Sequence, residues 1–368
     1  MDTKNRKNTL KAFFVGIATT IITLLLIGDV EIDTDFQFGE KNNEESQHIT
    51  ISIEKYIDVN NKDSLSIEAI GRGAVTMEDI ERELERVFVE NQPQIVIHAA
   101  AYKHVPIQEL HPWAAITTNL GGTLNLVELS DKYKVDTFVL VSTDKAVNPV
   151  NVMGATKRAA EKLIQSYNVN SKTTFMAVRF GNVLGSSGSA IPTFQKQINE
   201  GGPLTITHPE MTRYFMSIQE ASQLIIQCGA LGRDGEIFLL EMGKPIRIVQ
   251  MAKDLIRLSG FEPDIDIPIV FTGLRPGEKL YEELQLLNEQ KVSTSHRKIM
   301  ILKDKKNHMP WAILKPSIEE LILSAKNLDS EKIQILLDQI IPTYRPRNFG
   351  SHKESIDSMP RVINKAEA

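Results

Sequence analysis

Cys228 is the single cysteine in a chain of 368 residues. One thiol excludes an intrachain disulfide. Its place in the apolar helical pattern of residues 221–231 makes it a core side chain and fits a reducing compartment. Lysines and arginines are dispersed rather than gathered in a basic run, and the net charge of -5 leaves no electrostatic footprint for nucleic acid, so none is expected as a partner. No metal site is expected either. Internal repeats and low-complexity tracts are also lacking. A further absence concerns the element that opens a dinucleotide-binding sheet: a strand, a Gly-rich turn and a helix N-terminus whose N–H groups hold a pyrophosphate. The nearest candidate is the run 65–70 followed by Gly71-Arg72-Gly73, with two of the three usual glycines and no acidic residue at the end of a following strand.

Charge is also missing from residues 12–28, a run of Ile, Leu, Phe, Val and Thr with Lys4, Arg6, Lys7 and Lys11 before it and Asp29, Glu31, Asp33 and Asp35 after it. As a helix it spans roughly 26 Å, slightly less than a hydrocarbon core of about 30 Å. This predicts a transmembrane anchor over residues 1–30, with a signal peptide as the alternative. The flanking charges would keep the N-terminus cytoplasmic and send the remainder across. Residues 31–76 read as a linker or a remnant segment, polar from 37 to 63 apart from a short strand pattern at 49–53.

The content that remains is ordinary for a globular protein, 42% hydrophobic and 24% charged. Apolar positions Met77, Ile80, Leu84 and Val87 recur with a helical period, and residues 94–99 then read as a strand. Helix patterns at 114–133 and 154–167 alternate with strand patterns at 137–141 and 174–178. Such repeated units imply an α/β fold with a parallel sheet and right-handed crossovers. After Gly185 the order loosens into short helices and strands, as expected for a smaller substrate subdomain. The expected core with its subdomain covers residues 77–295, and C-terminal helices and a flexible tail cover 296–368.

Within this frame one segment concentrates reactive groups. Ser142-Thr143-Asp144-Lys145 follows the apolar run 138–141 directly, and Met153-x-x-x-Lys157 opens the next helix. Ligands of open α/β sheets bind at the strands' carboxyl ends, where this cluster falls. Further motifs follow the same order along the chain: His98-Ala-Ala-Ala-Tyr-Lys-His-Val-Pro106, Arg179-Phe-Gly-Asn-Val-Leu-Gly185, His208-Pro-Glu-Met-Thr-Arg-Tyr-Phe215 and Leu274-Arg-Pro-Gly-Glu-Lys-Leu280. From about residue 77 to 344 the chain thereby resembles the polysaccharide-biosynthesis nucleotide-sugar epimerases and dehydratases. These are extended short-chain dehydrogenases that include membrane-type UDP-N-acetylglucosamine 4,6-dehydratases, a branch in which methionine replaces the usual tyrosine.

The resemblance implies a Rossmann-like sheet, an NAD or NADP cofactor, a nucleotide-sugar substrate and a possible homo-oligomer. Because those ligands are cytoplasmic, it also places the catalytic part on the cytoplasmic side, against the charge asymmetry. It implies that Lys157 binds the nicotinamide ribose, with Ala99, Ala100 and Ala101 allowing close approach of the cofactor. Thr143 would bond the C4 oxygen, Asp144 would protonate the departing C6 hydroxyl, and Lys145 would be the base at C5 if its pKa is lowered. Met153 cannot take the C4 proton, which leaves Asp144 or a water. Lys103, Asn182, Arg213 and Arg275 would contact the substrate, and Glu278 would orient Arg275 or cap a helix near Pro276. Asn119 would support the active-site strand or cap a helix. Residues Met211, Tyr214, Phe215 and Met216 read as core.

Two accounts of the N-terminal side follow from the comparison with that family. The first three strands of the sheet are absent, so the fold is truncated, or Gly71-Arg72-Gly73 is a degenerate cradle. Three functions follow in turn: a 4,6-dehydratase for capsule or surface polysaccharide, a non-catalytic remnant that binds a sugar nucleotide or a homologous partner, or a nucleotide-sugar epimerase.

Overall fold

The computed structural model describes residues 31–38, 47–57, 63–71, 77–169, 171–186, 188–233, 235–304 and 309–346. Its central feature is a six-stranded sheet. Four short apolar runs with no charged residue before their ends form its parallel part: β4 (Ile95–His98), β5 (Thr137–Val141), β6 (Thr174–Arg179) and the strand Ile237–Leu240. Next to Ile237–Leu240 runs Ile299–Asp304, antiparallel, and Glu289–Ser293 completes that edge. Among the described residues, β5 is the one strand paired to β4.

Strand periodicity divides the side chains between two faces. Phe138, Leu140, Phe175 and Ala177 pack with Leu163, Ile318, Leu321 and Leu337 from the helices Val152–Asn168, Trp311–Lys326 and Ser330–Ile340. On the opposite face Val139, Met176, Val178, Phe238 and Leu240 pack with Ala221, Leu224 and Cys228 from the helix Ile218–Leu231. Helices on both faces of a parallel sheet make this a Rossmann-like α/β fold. Cys228 is buried and free, and burial pushes its thiol up to about 12. A third apolar core gathers Phe194, Leu204, Ile206, Met211, Ile248 and Ile256. These belong to the segment expected to form the substrate subdomain.

Two expectations from the sequence need correction. Residues 31–71 are not a linker: β1 (Glu31–Phe38), β2 (Gln47–Ile57) and β3 (Asp63–Gly71) form an antiparallel three-stranded sheet. Polar residues largely alternate with apolar ones along each strand, and their charge hides the two-residue period of a strand pattern. The membrane localisation is also withdrawn. No helix among the described residues is long and apolar enough to cross a membrane. The expected anchor at 1–30 lies outside the described residues, as do the candidate cradle beyond Gly71 and the tail from 347.

The sheet's carboxyl edge is organised by one buried cation. Arg179, at the end of β6, is fully buried between two carboxylates. Its Nε and Nη2 donate to Glu161 on the helix Val152–Asn168 at 3.1 and 2.8 Å. Its Nη1 and Nη2 donate to Glu289 at the start of the hairpin at 2.8 and 3.2 Å. Glu161 also accepts from Arg158 at 2.8 Å and from Ser142 Oγ at 2.6 Å. Burial alone would raise the Glu161 pKa, but Arg179 and Arg158 outweigh it and hold the carboxyl at about 2.

Gly154 seats the same helix from its other end. A Cβ there would lie 2.2 Å from the carbonyl oxygen of Lys145, so only glycine lets the helix touch the preceding turn. Asn151 caps the helix by accepting from Gly154 N at 2.7 Å and reaches across to donate to Gly277 O at 2.8 Å.

Arg179→Met should leave two buried carboxylates with Arg158 as their one remaining cation and lower stability by about 3–5 kcal/mol, measured as a lower urea midpoint. A loss below about 1 kcal/mol would contradict the clamp. Gly154→Ala should cost about 1–3 kcal/mol through overpacking, and a Lys145-bearing turn that tolerates alanine without loss would contradict the contact.

Candidate active site

The parallel strands β4, β5 and β6 end side by side, and the loops that follow them enclose an open cleft of about 550 Å³. From β5 and the next helix come Thr143, Lys145, Met153 and Lys157. Ala99, Ala101 and Lys103 line it from the loop after β4, and Asn182 from the loop after β6. Arg213, Arg275 and Glu278 close the far side. Ala100 and Asp144 are buried and do not line the cleft.

The turn after β5 is pinned to β6 beyond the strand itself. Ser142 N donates to Val178 O at 2.8 Å and Asp144 N to Phe180 O at 2.9 Å. Asp144 thus sits behind Thr143 and Lys145 rather than in front of them. Its Oδ1 accepts from Thr143 Oγ1 at 2.9 Å and from Lys145 Nζ at 3.0 Å. Its Oδ2 is buried with no hydrogen-bond partner among the described residues. Asp144 therefore borders the cleft only through Thr143 and Lys145, to which it is bonded.

Two lysines of the site have opposite electrostatics. Burial pulls the Lys145 ammonium down, but Asp144 and Glu282 outweigh it and hold its pKa above the ordinary value. The lowered pKa that a C5 base requires is therefore not present in this arrangement, because two carboxylates face one amine. Lys157 is 4% exposed, and burial lowers it to about 8 against the opposing pull of Glu161. Its amine makes no hydrogen bond or ion pair with the described residues. A buried ammonium that lines a cleft without a protein partner is a donor set suited to a ligand hydroxyl.

Other predicted residues take roles different from those expected. Arg213 is buried, and its Nη atoms donate to the carbonyls of Thr212, Lys279 and Leu280 at 2.7–3.1 Å, so most of its fork is spent on the protein's own backbone. Arg275 is exposed and forms no ion pair among the described residues, which leaves its guanidinium available. Glu278 accepts from Arg275 N at 3.1 Å across a turn, and no helix starts at Pro276. Asn182 accepts from Lys145 Nζ at 3.3 Å. Asn119 is no cap: in the π-helical turn Ile116–Gly121 it accepts from Tyr102 N at 2.7 Å and donates to Tyr102 O and Thr156 Oγ1, both at 3.0 Å. That ties the loop after β4 to the helix of Lys157.

Sequence reasoning passed over His104, Glu161 and Glu282. His104 also lines the cleft, and a Cβ on Gly188, whose φ is +67°, would meet its ring at 2.6 Å. Glu161 meets Arg158 on its own helix, but its partners Ser142 and Arg179 and the neighbours Lys145 and Arg213 of Glu282 come from other elements, so no local pattern marks either as a site residue.

Comparison with known proteins follows the same lines. A family described as polysaccharide biosynthesis protein matches residues 41–304, a match that begins inside the segment expected to be a linker. The capsular polysaccharide biosynthesis protein CapD of Staphylococcus aureus is 54% identical over 248 residues, covering 67% of this chain. The chain spans only 40% of the length of CapD. A UDP-N-acetylglucosamine 4,6-dehydratase (inverting) of Campylobacter jejuni is 40% identical over 191 residues, 51% of this chain and 54% of that protein. The crystal structure of Pen from Bacillus thuringiensis matches with a TM-score of 0.55 and 35% identity, over 62% of this chain and 71% of that chain. With the family match over most of its length, the chain belongs to the polysaccharide biosynthesis protein family.

Proposed function

We propose that this chain is a nucleotide-sugar 4,6-dehydratase acting on a UDP-N-acetylglucosamine-like substrate in capsule or surface polysaccharide synthesis. The observation that carries the reading is the Asp144–Lys145 hydrogen bond of 3.0 Å beside a cleft that Thr143 and Lys157 also line. Loss of water needs an acid for the departing hydroxyl and a base for the neighbouring carbon, whereas exchange at C4 alone needs neither.

A nicotinamide cofactor would supply the acceptor and donor of hydride when bound. The described residues fit its reacting end: Lys157 offers an unpartnered ammonium, and Ala99 and Ala101 leave room beside it. No Gly-rich turn that would hold its pyrophosphate is found among the described residues.

In this reading Arg275 and Lys103 meet the diphosphate at the mouth, and Asn182 is set beside Lys145. Thr143 bonds the C4 oxygen and passes its proton back to Asp144, which returns that proton by the same route to the C6 hydroxyl as it leaves as water. Protonating Asp144 removes one of the charges that hold Lys145 cationic, which moves Lys145 towards the neutral form that takes the C5 proton and later returns it. The remnant reading is favoured by one observation, that no Gly-rich turn is found among the described residues, and it predicts binding of the nucleotide sugar without turnover.

The test is incubation of the full chain with UDP-N-acetylglucosamine and NAD or NADP, read by mass spectrometry for a 4-keto-6-deoxy product. Product is expected, and Asp144→Asn and Lys145→Ala should each lower kcat by roughly 10²–10⁴-fold. Substrate binding with no product would favour the remnant.

The environment of Lys157 adds a pH test. Its folded pKa, about 8, lies below the ordinary 10.5, so the folded chain binds fewer protons than the unfolded chain between those values. Stability therefore rises with pH through that window, by up to about 3 kcal/mol. Denaturation of the wild-type chain and Lys157→Met across pH 8–10.5 should show the wild type gaining on the variant, and parallel curves would contradict the assignment.

A further inference from the structure

Glu282 lies on the loop that connects the Arg275–Glu278 turn to the hairpin, and no motif marks it. Its side chain is 4% exposed, and its Oε1 lies 3.9 Å from Lys145 Nζ and 3.9 Å from Arg213 Nη2. Its Oε2 is buried with no hydrogen-bond partner among the described residues. A carboxylate withdrawn from water with one oxygen unbonded is costly unless neighbouring charge compensates it. The charged groups that face it are Lys145 and Asp144 from the turn after β5, Arg213 from the strand Thr212–Arg213, and Lys279 from its own loop.

Two carboxylates therefore flank one ammonium, at different ranges. Lys145 Nζ donates to Asp144 at 3.0 Å and to Asn182 at 3.3 Å, while its separation from Glu282 is too long for a hydrogen bond and acts through charge. Burial raises the Glu282 pKa most strongly and Asp144 adds to that rise, while Lys145, Arg213 and Lys279 oppose it without reversing it, so these three cations are what favours the carboxylate here.

We propose that Glu282 is a positioning residue of this site, the second counter-ion that keeps the Lys145 ammonium aligned on Asp144 and Asn182. Its catalytic meaning rests on the dehydratase reading, in which Lys145 serves at C5. With Glu282 in place, neutralising Asp144 removes only one of the two charges on Lys145, so the amine keeps its place while Asp144 changes protonation state.

The experiment measures the rate at which acetic anhydride acylates Lys145 in the full chain as a function of pH, read by peptide mass spectrometry. Wild type, Glu282→Gln and Glu282→Asp are compared, with thermal melts to establish that each is folded. Glu282→Gln should lower the half-modification pH of Lys145 by about one unit, and Glu282→Asp by less, because it retains the charge at greater distance. Should Glu282→Gln fail to fold, the smaller fall in Glu282→Asp carries the proposal. Midpoints equal to wild type in the folded variants, or equal falls in Asp and Gln, would overturn it, the second because packing rather than charge would be responsible. Since this readout needs no turnover, a shifted midpoint without sugar product would leave the placement of Glu282 standing and remove the dehydratase reading.

Discussion

Arg179 carries a full positive charge with no exposure to water, and the carboxyl edge of the sheet is built around meeting that charge. Glu161 and Glu289 each take part of the guanidinium fork, one from a crossover helix and one from the antiparallel hairpin. The same Glu161 accepts from Ser142, the residue before Thr143, and from Arg158, one residue after Lys157. Strand end, reactive turn and helix are therefore held by a single carboxylate. A buried ion pair of this kind is weak evidence for net stability, but breaking it is costly, and its geometry admits few alternative registers.

From that clamp the site gains its electrostatic division. Lys157 and Lys145 are both withdrawn from water, yet only Lys145 has carboxylates close enough to overcome desolvation. Lys157 is left as a partly uncharged, unpartnered donor in the cleft. Arg213, expected at the ligand, instead holds together the backbone that carries Glu278 and Glu282. Arg275 and Lys103 are left as exposed cations that line the cleft.

Much of this was legible locally. The runs Ile95–His98 and Thr137–Val141 are too short and too apolar to be anything but buried strands, and reactive residues directly after them had to fall at the sheet's carboxyl edge. The Met153 to Lys157 spacing put both side chains on one helical face, and both line the cleft. What the chain hid was nonlocal. Glu289 lies 110 residues from Arg179, and no periodicity pairs them. Asp144 reads as a ligand contact until its turn is seen bonded to Phe180, which draws it behind Thr143. Residues 31–71 read as linker because the charged positions set between their apolar ones resemble those of a loop.

The central claim is that the Asp144–Lys145 pair serves removal and return of a proton at C5 together with loss of the C6 hydroxyl. Running the reaction in D₂O and locating the label by NMR tests it most directly. The account predicts one deuterium at C5 of a product that has lost water, with the C6 methyl receiving its migrating hydrogen from C4 rather than from solvent. A sugar nucleotide converted without loss of water and without deuterium at C5 would contradict it.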